Sequence, residues 1–541
     1  MVGLTTVFGS GAMTNSISDI EESKCILVIG SDTSSQHPLI AARIIQAKEK
    51  GAKLIVADPR EIHLTLFADL YLPMRPGTDV ALANALAKVI LDQKLEDKDF
   101  LAQRVEGLEE FTQALKDFSL QDAEGITGIP AEDIEKAAVT YAQAEASAII
   151  YAMGITQHAT GTDNVLSLAN LALITGNIGR PGTGVNPLRG QNNVQGACDV
   201  GALPNFLPGY QTVTDQRNRK KAEEVWGVSA LPANPGLTLG EMMDAALGGR
   251  VQAMYIMGEN PILSDPDTNH TRQSLEALTF LVVQDIFPTE TAQLAHVVLP
   301  SSVWAEREGT FTNTERRVQL IRAALEPPGE ARPDWQIICD VAKALGAFSL
   351  FPFNSAEEIF EELRKVTPQY AGMNYRRLAQ GSLQWPCSAE DHAGTTILHT
   401  KEFPRGKGRL TPLKYKSSLE VPDSDYPLLL ITGRVMSQYH TGTMTRRSPS
   451  LEEEFPRAFV EINPEDARGR GIVDGAEVEV ASRRGAIRAK AQVSPRMRHG
   501  VAFIPFHFVE GAANTLTLRA FDPVAKIPEL KVCAVEVKPV E

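Results

Sequence analysis

The sequence predicts an α/β protein: two similar α/β lobes followed by a C-terminal β-barrel. Three observations predict it. A strand–Gly, helix, strand–Asp pattern runs over residues 24–58. The same pattern returns, in the same order, over residues 253–301. Beyond residue 411 helical spacing gives way to short alternating runs. The divisions expected from these changes are 1–191, 192–411 and 412–541.

In the first lobe "CILVIG" is a strand ending at Gly30, "HPLIAARIIQAKEKG" has helical spacing, and "AKLIVADPR" is a strand ending in Asp58. Ligands of such sheets sit beyond the carboxyl ends of the strands. "GSDTSS" offers backbone N–H groups and hydroxyls to a phosphate at a helix start. Asp58 stands where an acid accepts from a ribose or a base. No G-x-G-x-x-G is present, so this unit alone is better read as an α/β repeat without a ligand. Its repetition shifts that balance. "AMYIMGENP" ends a strand in Gly258, Glu259 and Asn260, and "LTFLVVQDIF" ends one in Asp285. "FADLYLPM" is echoed by "LAHVVLPS", and "RPGTD" by "REGTF". Two similar pockets for two similar nucleotides follow from the repeat, with duplication lacking a second ligand as the plainer alternative. The two units are expected to face each other across a cleft floored by Arg189.

Between the repeats, a strand ending in Gly154 leads to Gln157 and His158. His158 has no partner at metal-ligand spacing, so it reads as a hydrogen-bonding group. A buried helix over 165–175 then runs into "GVNPLRGQNNVQGACDVG", residues 184–201. This stretch has neither helical nor strand periodicity, and a structureless loop of that length is usually functional or disordered. It sets Arg189 among glycines and carboxamides, and glycine lets a backbone approach a ligand closely. In the C-terminal part "LLLITGR", "AFVEI", "EVEVASRRGAIRAKAQV" and "GVAFIPFHF" read as strands, with a hairpin at "RRG" and a helical turn or two in "NPEDARGRG". "TGRVMSQYHTGTMTRR" is a polar loop with Arg434, Tyr439 and His440 available for an anion or a ring; an ordinary surface loop is the alternative.

Composition removes several classes. With 541 residues, 43% of them hydrophobic, the chain is globular and easily buries a core. The formal net charge of −14 argues against a nucleic-acid partner, which needs a basic face. The five cysteines, Cys25, Cys198, Cys339, Cys387 and Cys533, form no C-x-x-C pair, so no zinc or iron–sulfur motif is expected within these residues. Scattered cysteines fit a reducing compartment. No apolar run has the length of a membrane span, and no signal peptide is visible.

The strings "FGSGAMTNSISDIEESKCILVIGSDTSSQHP", "YLPMRPGTD", "GITQHATGTDN", "NPLRGQNNVQGACD", "MGENP", "FPTETAQLAHVVLPSSVWAEREGTFTNTERRVQ" and "HTGTMTRRSP" together resemble the molybdopterin oxidoreductases, most closely the catalytic alpha subunits of formate dehydrogenases. The resemblance implies two Rossmann-like α/β lobes plus a C-terminal double-psi-type β-barrel. It also implies molybdenum or tungsten held between two molybdopterin guanine dinucleotides. Carried over by position, Gly30, Ser31, Asp32, Asp58, Gly77 and Asp79 are implied as one nucleotide site. Gly258, Glu259, Asn260, Gln284, Asp285 and Thr289 are implied as the other. Gln157, His158, Gly190 and Gln191, with Arg434, Tyr439, His440, Asn514 and Lys531 of the barrel, are implied as contacts nearer the pterins. Arg189 is implied as the catalytic residue that holds formate while it is oxidised to carbon dioxide, two electrons passing to the metal centre. Formate is too small to be known by shape, so a fixed guanidinium does most of the orienting.

The resemblance further implies cytoplasmic location and electron-transfer partner subunits carrying iron–sulfur or flavin groups, with no nucleic acid and no membrane span. Family members begin with a [4Fe–4S] domain and then a Cys or selenocysteine metal ligand. "VGLTTVFGSGAMTNS" matches the segment just after that ligand. The expectation is therefore that these residues alone lack the metal ligand and are inactive in isolation, a selenocysteine codon upstream of Met1 having been read as stop; a real truncation, or a separately encoded amino-terminal subunit, is the alternative. Two other readings stay open: a non-catalytic cofactor-binding fragment, and a sibling oxidoreductase acting on another small anion.

Overall fold

The strands of the first lobe are apolar along their whole length, which is the mark of a parallel sheet covered on both faces. In the computed structural model, which describes residues 1–540, they are β1 (Cys25–Ile29), β2 (Lys53–Ala57), β3 (Leu70–Leu72), β4 (Ser147–Tyr151) and β5 (Gly184–Pro187). They hydrogen-bond in the order β3-β2-β1-β4-β5, all parallel. Helix α1 (Pro38–Glu49) closes one face, where Ile40, Ile44 and Ala47 meet Ile26, Val28, Leu54 and Val56. Helices α2 (Asp79–Asp92), α3 (Ala131–Gln143) and α4 (Gly161–Ile174) close the other, over Leu27, Ile29, Ile55 and Leu72. Helix α4 is buried almost all round, the expected state of a helix without a polar face. The strand order reverses between β1 and β4, which opens a crevice at their carboxyl ends.

This lobe belongs to one compact unit, Met1–Gly190 with Leu263–Asn269 and the residues from Ile397 onward. The unit's C-terminal part is a closed barrel, as the alternating runs predict. Its strands are β11 (Leu428–Gly433), β12 (Phe459–Ile462), β13 (Glu477–Ser482), β14 (Gly485–Val493), β15 (Val501–Pro505) and β16 (Cys533–Pro539), closing in the order β11-β15-β12-β14-β13-β16. Ser482 pairs with Gly485 across the Arg483–Arg484 turn of the expected hairpin, and "NPEDARGRG" contains a short helix, Pro464–Gly469. Inward Val478 and Val480 alternate with outward Glu477 and Glu479, so β13 buries one face only.

The second unit comprises Gln191–Ile262 and His270–Thr396. Its sheet holds β6 (Ala253–Met257), β7 (Phe280–Asp285) and β8 (Val297–Pro300), parallel in the order β8-β7-β6. Met254, Ile256, Leu281 and Val283 pack with Met243, Ala246 and Leu275 from the helices Leu239–Leu247 and Thr268–Glu276. The opposite face carries Tyr255, Met257, Phe280 and Val297, all exposed. The chain then leaves the sheet as an antiparallel hairpin, β9 (Gly309–Thr312) and β10 (Arg317–Ile321).

The stretch 184–201 is more ordered than its polarity suggests. Gly184–Pro187 is the edge strand β5, where a proline is tolerated, and Val194–Asp199 is a short helix. Side-chain bonds hold that helix in place of an apolar stripe. Buried Asp199 accepts from Gln195, Tyr210, Tyr370 and Trp385, each at 2.7 Å, and Asn193, at φ +64°, accepts from the Thr312 N–H at 2.9 Å.

Candidate functional site

Each of the five parallel strands of the first lobe delivers residues to one cleft at its carboxyl end. Gly30, Ser31 and Asp32 follow β1, and Asp58, Pro59 and Arg60 follow β2. Met74, Pro76, Gly77 and Asp79 follow β3, and Met153, Gly154, Gln157 and His158 follow β4. Leu188 and Gly190 follow β5. The barrel supplies the facing wall with Thr432, Arg434, His440, Phe503, Phe506 and Lys531. About 1060 Å³ of non-atom space lies within, mouth included. Gly30 sits at φ +58°, and a Cβ there would lie 2.9 Å from the carbonyl carbon of Gly154 and the nitrogen of Ile155. Only glycine lets β1 and β4 come so close at the reversal point.

The walls differ in charge. On the lobe side Asp58 and Asp79 are buried, and desolvation pushes Asp58 up to about 7 and Asp79 up to about 6. Asp58 is partly relieved by the Arg60 N–H, 3.0 Å from its Oδ1. Both ring nitrogens of His158 face acceptors: Nε2 is 2.7 Å from the Gly154 carbonyl and Nδ1 is 3.0 Å from Glu529. Burial alone would lower its pKa; Glu529, with Asp79 and the Gly154 carbonyl adding, outweighs burial and the net shift is upward. Glu529 also accepts from the Ala159 N–H at 2.8 Å, which ties the barrel's last loop to the lobe.

On the barrel side Arg434 and Lys531 donate to backbone carbonyls, Gly190 at 2.9 Å and Thr432 at 2.6 Å. Burial, with Arg434 adding to it, drives Lys531 down to about 7. Burial and the same guanidinium hold His37 and His440 at about 4, hence neutral. Cations that donate only to carbonyls in a recess call for an anion. Across the cleft Asp32 Oδ1, Ser34 Oγ and Gln36 Nε2 are buried with no hydrogen-bond partner. The donor set therefore fits an anionic ligand that also carries hydrogen-bonding groups, such as a dinucleotide.

Of the residues expected to bind cofactor, Gly30, Ser31, Asp32, Asp58, Gly77, Asp79, Gln157, His158, Gly190, Arg434, His440 and Lys531 all line this cleft. Arg189, Tyr439 and Asn514 are outside its lining. Arg189, half-buried, donates to the Gly11 carbonyl at 3.3 Å. The backbone N–H of Tyr439 donates to Thr445 at 3.0 Å. Asn514 is buried and donates to the Leu263 carbonyl at 2.7 Å. The remaining candidates belong to the second unit. There Gln191 precedes the helix Val194–Asp199, while Gly258 and Glu259 are exposed beyond β6. Asn260 bridges Glu290 and Thr291 at 2.7 and 2.8 Å, Gln284 donates to Asp334 at 2.7 Å, and Asp285 caps its own strand through the Ile286 N–H at 2.6 Å. Thr289 accepts from the Ala292 N–H at 3.2 Å.

Sequence reasoning missed several cleft residues. Arg60 donates to buried Glu461 at 2.8 Å, its guanidinium 3.7 Å from the ring centre of Phe503. The signal was present, since "ADPR" carries Arg60 two residues after the strand-end acid. Gln36 and His37 sit in "SSQHP", immediately before α1. Phe503 and Phe506 come from the apolar run "GVAFIPFHF", where nothing in spacing separates a cleft face from a core face.

Comparison with known proteins gives this geometry a family. The sequence matches the family described as Molybdopterin oxidoreductase over residues 5–344, and the Molydopterin dinucleotide binding domain over residues 428–534. It is 54% identical to the F420-dependent formate dehydrogenase subunit alpha of Methanocaldococcus jannaschii over 99% of this chain and 80% of that protein. It is 40% identical to formate dehydrogenase H of Escherichia coli, over 100% of this chain and 76% of that protein. The assimilatory nitrate reductase catalytic subunit of Bacillus subtilis is also 40% identical, over 98% and 76%. Among solved structures, acetylene hydratase from Pelobacter acetylenicus superposes with a TM-score of 0.78 over 99% of this chain and 80% of that one, at 22% identity, and so shares the fold. The dinucleotide-binding match spans most of the barrel whose Arg434 and Lys531 face the strand ends, and on that agreement of sequence and geometry the chain belongs to the molybdopterin oxidoreductase family.

Proposed function

We propose that the chain works as the catalytic alpha subunit of a formate dehydrogenase, oxidising formate to carbon dioxide with release of one proton and two electrons. The observation that carries this reading is the 54% identity, sustained over 99% of the chain, to a protein named as such a subunit. The cofactor is a molybdopterin guanine dinucleotide, in two copies around molybdenum or tungsten, and when bound this centre supplies the two-electron acceptor. The residues at the first lobe's strand ends, Asp32 and Asp58, would accept from the nucleoside, and Arg434 and Lys531 would face the pyrophosphate. Gly258, Asn260, Asp285 and Thr289 would serve the second copy, with Gln191, Tyr439 and Asn514 assisting. Arg189 would orient formate by a charge-assisted, two-pronged hydrogen bond. The electrons would leave through an iron–sulfur or flavin partner subunit, toward F420 as the names of relatives suggest. The setting is proposed to be cytoplasmic; no helix among the described residues is long and apolar enough to cross a membrane.

The test is formate-dependent dye reduction by the metal-loaded holoenzyme with its partner subunits. Arg189→Ala is expected to lower kcat/KM for formate by about a hundredfold or more, the scale of losing substrate orientation. A second reading, a sibling enzyme acting on another small anion, draws on the relative named as a nitrate reductase. Nitrate reduction by a holoenzyme inert toward formate would establish that reading in place of the first.

A further inference from the structure

Arg75 belongs to "RPGTD", the turn after β3 that carries Gly77 and Asp79 into the cleft, yet it is itself exposed and outside the cleft lining. Arg498 is half-buried on the turn between β14 and β15 of the barrel. Backbone contacts hold that turn against the lobe. The Glu61 N–H donates to the Arg496 carbonyl at 3.0 Å, and Arg498 Nη1 donates to the Pro73 carbonyl. Arg75 Nη1 donates to the carbonyls of Gly125 and Ile126, at 2.5 and 3.2 Å, and so caps the helix Leu120–Thr127.

In both arginines Nη1 alone is spent. Among the described residues no acceptor meets the Nε–Nη2 edge of either, and that edge is the fork that takes two oxygens of an anion at once. The two edges converge. Gly128 follows the capped helix at φ +68°, and a Cβ there would collide with Arg498 Nη2 and come within 3.3 Å of Arg75 Nε. Two like charges therefore border one bare glycine, where each raises the energy of the other. Burial, and then Arg75, hold the Arg498 guanidinium below its ordinary value.

Carboxylates are spent elsewhere. Arg60 and Arg496, close by in sequence, share Glu461 at 2.8 and 3.2 Å. Glu124, in the capped helix, accepts from the Ala131 N–H at 3.0 Å. Among the described residues neither Arg75 nor Arg498 has an acidic partner. We propose that their two free edges form a binding site for a small tetrahedral dianion of the phosphate class, separate from the cleft. Four oxygens supply a pair to each fork, and two negative charges offset two guanidiniums; a single carboxylate satisfies one fork only. The site is independent of the function proposed above.

The experiment is calorimetric titration of the full 541-residue chain with inorganic phosphate, chloride keeping the ionic strength constant. Binding with a dissociation constant of about a millimolar or tighter is expected. Arg75→Gln and Arg498→Gln are each expected to weaken it by about tenfold or more, and Arg75→Lys, which keeps charge and loses the fork, by nearly as much. Arg75→Gln also removes a helix cap, so Arg498→Gln decides the matter if the first variant does not fold. Arg496→Gln and Lys531→Met are expected to leave phosphate affinity unchanged. Absence of binding to the parent, or affinity indifferent to Arg498→Gln, would overturn the proposal. So would loss of binding in Lys531→Met, which would put the phosphate in the cleft, or displacement of phosphate by acetate at equal concentration, since one carboxylate would then suffice.

Discussion

The two repeats share strands and part company in what those strands are given to do. In the first lobe the sheet is sealed on both faces, and its strand ends carry buried charge into an open cleft. In the second, one face leaves Tyr255, Met257, Phe280 and Val297 exposed, and the strand-end polar groups are largely satisfied by neighbours: Asn260 by Glu290 and Thr291, Gln284 by Asp334. A repeat read in sequence therefore specifies strand, turn and terminal acid. It does not specify what packs over each face of the sheet.

The largest effect should come from placing the same charge on matched positions. Leu27→Asp puts an unpaired carboxylate under α4 and is expected to cost more than about 4 kcal/mol, enough to prevent stable folding of the first unit. Tyr255→Asp, at the matching position, is expected to cost about 1 kcal/mol or less. The four tryptophans (Trp226, Trp304, Trp335 and Trp385) all lie in the second unit. Their fluorescence during urea unfolding reads that unit alone, while hydrogen exchange in β1–β5 reads the other. Comparable losses for the two variants would break the comparison at its root.

A smaller effect is expected where the barrel clasps the lobe. Glu529→Gln leaves the His158 imidazolium without its buried partner, and breaking such a pair costs about 3–5 kcal/mol at most. Because pairing raises the His158 pKa, its stabilisation is full below the ordinary imidazole value and is lost as pH rises through the raised one. The variant and the parent should thus converge in thermal stability at alkaline pH. A constant gap across that range would show that Glu529 acts only through the Ala159 N–H.

These tests also mark what the sequence made legible. Strand ends were readable because a glycine and then an acid, each closing an apolar run, answer to two definite needs: a backbone turn at φ +58° and a polar group at the sheet's edge. Gly30 and Asp58 indeed line the cleft. The barrel was readable from alternation, as in β13. Asp199 was not legible as an anchor, since its four donors lie 4, 11, 171 and 186 residues away. The exposure of Tyr255, Met257 and Val297 was hidden for a different reason: they stand where the repeat puts the buried Leu27, Ile29 and Leu70, and their types alone do not tell the two settings apart. Exposure is a property of what packs above them, and no residue in the strand encodes it.

The smallest effect concerns the charge held in the first lobe's cleft. Lys531 is pushed down to about 7 by burial, so the folded chain binds fewer protons there than the unfolded chain between about pH 7 and the ordinary lysine value. Stability from this residue should therefore rise with pH across that window. Asp58 runs the other way: pushed up to about 7, it stabilises fully below the ordinary carboxylate value and loses that contribution as pH rises toward 7. Lys531→Met removes the first slope. It is expected to stabilise the cofactor-free first unit by on the order of 1 kcal/mol near pH 7, where the parent must charge a half-buried amine. The same substitution should weaken binding of an anionic dinucleotide, because the ligand's charge is what makes the ammonium favourable. Hydrogen exchange in β1–β5 measures the gain, and cofactor retention through gel filtration measures the loss, while tryptophan emission from the second unit should register neither. A variant that lost stability and kept its cofactor would show that Lys531 is a structural partner of the Thr432 carbonyl, and the charge contrast between the two lobes would lose its strongest member.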